Sequence, residues 1–132
     1  QKCMKNQVLS IEQMQKLKEL GVDTSKASMC YISKYPSCDF DDGDSIVVVS
    51  KDFNKRLYNE FGPAFTLQDI VELLPYTFNN FYLKIYRGIN MYYFIYESIN
   101  SEDDIIEKGN TPLLAAYNML IWVAENGYLT SK

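Results

Sequence analysis

The sequence predicts an α+β fold: a mainly antiparallel four-stranded sheet built from two hairpins, with about three helices in the order αββαββα. Two observations carry this. Three apolar stretches begin with capping residues and end at Gly or Pro, and two pairs of β-branched and aromatic runs lie between them, each pair split by turn formers. Helix and strand pairs that alternate in this way favour an antiparallel sheet covered by helices on one face. With 132 residues, 47% of them apolar, residues 1–132 are expected to form a single domain around one core.

The first helix is announced by Ser10 and Gln13, which form a capping box. Ile11, Met14 and Leu17 recur at helical spacing before Leu20, and Gly21 ends the run. Glu12, Lys16, Lys18 and Glu19 supply its wet side. Ser28–Ser33 and Ser45–Ser50 read as a loose hairpin across the turn-rich segment YPSCDFDDGD. Thr66 and Asp69 open a short second helix in TLQDIVELLP, with Leu67, Ile70, Val71 and Leu74 inward and Pro75 as the stop. A second hairpin pairs Phe81–Tyr86 with Met91–Glu97 around Gly88-Ile89 or a slightly longer turn through Asn90. The acids of Ser101–Glu107 suggest a short helix N-terminus capped by Ser101.

The last helix is the most apolar stretch. Thr111 is placed to cap it, Pro112 suits its first position, and Asn126-Gly127 is a left-handed stop. About 15 residues give roughly 22 Å of helix against a hydrocarbon layer of roughly 30 Å, so this segment is too short to span a bilayer. Apolar residues on most of its circumference make it a central core helix, with Trp122 in the core.

Composition excludes several chemistries. The chain has no histidine, which removes the common Ser/His and Cys/His nucleophile pairs and the commonest zinc ligand. Cys3, Cys30 and Cys38 form no CxxC pair and are odd in number, so reduced thiols are expected, with a Cys30–Cys38 bridge left open. Asp39–Asp44 resembles the start of an EF-hand loop but places Gly43 fifth and Ser50 twelfth, where the loop needs Gly sixth and Glu twelfth. No metal or cofactor is therefore expected, and no phosphate-cradling GxxxxGK[ST] or GxGxxG motif occurs. The net charge of −4, with lysines and arginines scattered along the chain, argues against nucleic acid as a partner. No apolar signal run follows the start, and Met4 is a candidate start beyond Gln1; a cytoplasmic protein with no membrane partner is expected.

Tyrosine is the unusual residue, with eleven in the chain and five in the second hairpin. Strand alternation puts Phe81, Leu83 and Ile85 on one face, and the hairpin is expected to present Tyr82, Tyr86, Tyr92 and Tyr96 on the face opposite the helices. A single helix layer covers only one face, and tyrosine offers the amphipathic contact area enriched at interfaces. These four residues are the candidate protein-binding set, the occupant being another protein or a second copy of the chain.

VLSIEQMQKLKELGVDTSKASM, FTLQDIVELLP and YESINSEDDIIEKGNTPLLAAYNMLIWVAENGYL together resemble a group of small uncharacterised proteins from prophages and mobile elements of gut Bacteroidetes. The resemblance spans nearly the whole chain and implies a bacterial or phage-encoded accessory protein, with no activity carried onto any residue. The expectation is a small non-enzymatic binding protein. The alternative is an acidic inhibitor whose carboxylates at Asp39–Asp44 and Ser101–Glu107 mimic phosphates to block a nucleic-acid-binding protein; a small enzyme using carboxylate or cysteine chemistry comes third.

Overall fold

The computed structural model describes residues 7–33, 46–50, 60–100 and 103–129. The described chain runs α1 (Ile11–Glu19), a 3₁₀ turn (Thr24–Lys26), β1 (Met29–Ser33), β2 (Ile46–Ser50), β3 (Glu60–Ala64), α2 (Leu67–Leu73), β4 (Thr77–Phe78), β5 (Phe81–Arg87), β6 (Tyr92–Ser98), β7 (Ile105–Gly109) and α3 (Pro112–Glu125). The α+β class is as the sequence predicts, and the order αββαββα matches in outline, but three described strands rather than two separate α1 from α2, β3 being unexpected, and four separate α2 from α3. The strands divide between two antiparallel sheets, β2-β1-β3 and β4-β5-β6-β7, so the two hairpins belong to different sheets.

Local chemistry accounts for the helices. Ser10 Oγ accepts from the Gln13 amide while Gln13 Oε1 accepts from the Ser10 amide, and Gly21 takes φ +88° just past the end. Thr66 and Asp69 form the same reciprocal pair at α2. Thr111 Oγ1 accepts from Leu114 N at α3, and Gly127, at φ +79°, follows the cap residue Asn126. Each cap satisfies backbone N–H groups that the helix itself leaves without partners.

Two strands beside the second hairpin escape the sequence reading. β4 joins β5 through Asn79-Asn80, both at positive φ, the conformation of a tight two-residue hairpin turn with Phe78 opposite Phe81. β7 takes up Ile105–Gly109, so the expected helix through Glu107 is corrected: Glu107 lies mid-strand opposite Phe94. The β-branched pair Ile105-Ile106 outweighs the acids before it, and Asp104 Oδ1, just before the strand, accepts from Ser98 N.

One core cluster runs through both parts of the chain. It joins Leu9, Met14 and Leu17 around α1, Phe65 and Ile70 around α2, Phe94 and Tyr96 from β6, and Met119, Leu120 and Val123 from α3. Asp69 ties distant segments together: besides its capping role, its Oδ2 accepts from Ser28 N and Ser28 Oγ at 2.9 Å each, 41 residues away. Trp122 is half-buried, packed on this core and stacked on Tyr128 (centroids 5.8 Å apart), which in turn stacks on Phe78 at 4.2 Å. No described helix is long and apolar enough to cross a membrane.

Candidate functional site

Register decides which tyrosines are available. β5 and β6 are joined by Gly88–Met91, and Gly88 N donates to Met91 O at 2.7 Å. Arg87 therefore opposes Tyr92, Ile85 opposes Phe94 and Leu83 opposes Tyr96. Odd-numbered residues of β5 share a face with even-numbered residues of β6. Phe81, Leu83, Tyr92, Phe94 and Tyr96 belong to or pack on the core cluster with α3, which makes this the helix-covered face.

Two of the four expected contact residues are thereby corrected. Tyr96 is fully buried, and its hydroxyl donates to Pro75 O at 2.6 Å. Burial pushes its phenol pKa well up, since the charged form would lose its water. Tyr92 packs against the core with the Arg87 guanidinium 5.7 Å from its ring centroid. The physical reason is the turn: a three-residue connection would align even with even residues, whereas four residues exchange the two faces of the second strand.

Tyr82 and Tyr86 do lie on the outer face, joined there by Tyr93 and Ile95 of β6 and by Ile106 and Lys108 of β7. Tyr86, 58% exposed, opposes Tyr93 with ring centroids 5.6 Å apart, and Ile106, 52% exposed, opposes Ile95. At one end a polar group is already organised. Lys84 Nζ lies 3.1 Å from Glu97 Oε1, which also accepts from the Tyr82 hydroxyl at 3.0 Å. Bonding to Lys84, then to Tyr82, holds the Glu97 carboxyl below its ordinary range, while the same carboxylate raises both Lys84 and Tyr82. Sequence reasoning missed Tyr93, Ile95 and Ile106; the Ile105-Ile106 run was the available signal, hidden behind the acids.

Other features offer less. An open cleft of about 560 Å³ is lined by Leu20, Val22, Leu73, Asp23, Lys26 and Glu72 among others, but no Ser, Thr, Cys or Tyr among the described residues lines it, and Asp23 Oδ1 caps the 3₁₀ turn by accepting from Ser25 N and Oγ. Among the described residues no group of three His, Cys, Asp or Glu could hold a metal ion. Cys30 is buried in β1. Cys3, Cys38, the acidic segment Asp39–Asp44, and Ser101 and Glu102 lie outside the described residues; Asp103 and Asp104 are exposed and Glu107 lies on the helix side. In comparisons with known proteins, no family model, curated protein or solved structure matches this chain, so the outer sheet face is read from its own geometry.

Proposed function

We propose that this chain is a small non-enzymatic binding or accessory protein of the bacterial cytoplasm, gripping a protein partner on the outer face of its four-stranded sheet. One observation carries the reading: Tyr82, Tyr86, Tyr93, Ile95 and Ile106 share the face that α3 leaves uncovered. Tyrosine and isoleucine supply apolar area at modest ordering cost, and the Lys84–Glu97–Tyr82 group supplies oriented polar contacts beside them. Contiguous exposed apolar patches beyond a few hundred Å² are uncommon on monomers and mark contact sites. The bacterial or phage-related setting rests on the resemblance of the helix and terminal segments.

The test is Tyr93→Asp combined with Ile106→Asp. The variant should keep the circular dichroism spectrum and melting behaviour of the parent while losing the proteins that the parent retains from a lysate of its native host. A folded variant that retains the same proteins in the same amounts overturns the reading.

A further inference from the structure

A second, independent feature lies on the edge of the same sheet. Leu83 N donates to Tyr76 O, away from β6, whereas Gly88 N and Asn80 O bond on the β6 side. Backbone groups in a strand alternate sides, so the N–H and C=O of Ile85 and Arg87 also point away from β6. β4 pairs only with Phe81 and Tyr82, and the chain leaves the sheet towards α2 just before it. Four backbone groups of β5 are thus left without a strand among the described residues. On the opposite edge one outward group is covered, since Lys108 O on β7 accepts from Asn118 Nδ2 at 2.8 Å.

The open edge carries an exposed apolar residue on each face, beside the cations Lys84 and Arg87. Ile85, on the helix-side face, is 54% exposed because it lies beyond the helix cover, and Tyr86 is exposed on the other face. Tyr76 at 72% and Ile89 at 94% lie next to the two ends of this edge. Of the seven most exposed large hydrophobics among the described residues, four therefore gather here. Long exposed edges invite pairing with another strand, and proteins usually blunt them.

We infer that β5 pairs antiparallel with β5 of a second copy about a two-fold axis at Tyr86, continuing the sheet across both molecules. The register follows from the groups left open. With the axis at Tyr86, Ile85 lies opposite Arg87 of the second copy and Arg87 opposite its Ile85, and two such hydrogen-bonded pairs use all four open groups of each strand. Moving the axis to Ile85 would set Arg87 against Leu83, whose N–H is already given to Tyr76. Charge agrees with this register. Lys84 faces Gly88 of the second copy rather than a cation, and Arg87 faces an isoleucine, so no like charges are directly opposed. Tyr86 meets its own symmetry mate, and Ile89 comes beside Leu83 and Tyr76 of the other molecule. The pairing covers few residues, short of the roughly 800 Å² per partner of standard interfaces, so the dimer is weak and depends on concentration.

This inference is separable from the outer-face reading although both use Tyr86, because its hydrogen bonds come from the backbone of Ile85 and Arg87 at the edge. Its test is sedimentation velocity across a concentration series, with Ile85→Pro as the variant. Proline removes an N–H that points off the sheet edge, the position where a strand tolerates it. The parent should pass from monomer to dimer as concentration rises, and the variant should stay monomeric. Amide exchange on the parent alone gives a second readout that survives a variant that fails to fold: the Ile85 and Arg87 amides should slow as dimer accumulates. A parent that is monomeric at millimolar concentration overturns the proposal, as does a dimer in which those two amides exchange as fast as in the monomer.

Discussion

Tyr96 shows how far one residue's role depends on which way its strand faces. Its ring meets Phe78 edge-on at 4.6 Å, and its hydroxyl occupies Pro75 O where the chain leaves α2 for β4. Tyr96→Phe keeps the ring and strands that carbonyl in the interior, which should cost about 1–3 kcal/mol in urea unfolding. A contact-surface tyrosine would behave oppositely, leaving stability unchanged when its hydroxyl is removed. Asp69 is a second residue whose work is structural: one oxygen serves both the α2 cap and the approach to β1.

At the level of elements, β7 and α3 meet more closely than any side chain at their junction would permit. A Cβ placed on Gly109 would stand 2.6 Å from the Ala115 backbone nitrogen and 2.9 Å from Leu114 Cβ, so the helix lies directly on the strand. Gly109→Ala must push α3 away from the sheet and should cost about 1–3 kcal/mol, the usual range for overpacking, seen as a lower melting temperature. An unchanged melting temperature would mean that the β7–α3 junction yields freely. The same tight junction puts α3 against one face of β6 and β7, and no helix among the described residues covers the other.

Across the whole molecule, two glutamates on opposite faces of one sheet give opposite pH dependences. Glu107 lies on the helix side, and burial, followed by the negative charge of Glu125, raises its pKa. A carboxyl that binds its proton more tightly folded than unfolded favours folding below the unfolded pKa and loses that contribution as pH rises through the folded value. Glu97, held low by Lys84 and Tyr82, contributes above the unfolded pKa and loses it as pH falls through the folded value. Glu97 is solvated, so its contribution is small. Glu107→Gln should therefore raise the melting temperature at neutral pH and make no difference in acid, below the range where Glu107 titrates. Thermal melts of both proteins from acid to neutral pH check this; a variant less stable at neutral pH would contradict it.

The sequence by itself determined the features whose chemistry closes within a few residues. Ser10 and Gln13, Thr66 and Asp69, and Thr111 with Pro112 each mark a helix start because donor and acceptor lie three residues apart. The aromatic runs at Phe81–Arg87 and Tyr92–Ser98 were legible as strands for the same reason, since period-two patterning is local. What only the tertiary structure decided is which surfaces those elements turn to one another. A single residue in the Gly88–Met91 connection selects Tyr93 over Tyr92 and Tyr96 for the outer face. β4 and β7 form because β5 and β6 already offer them edges, and short strands such as Thr77–Phe78 carry too little pattern to announce themselves. Register and sheet membership are settled by contacts between residues distant in sequence, where packing against α3 outweighs any local preference.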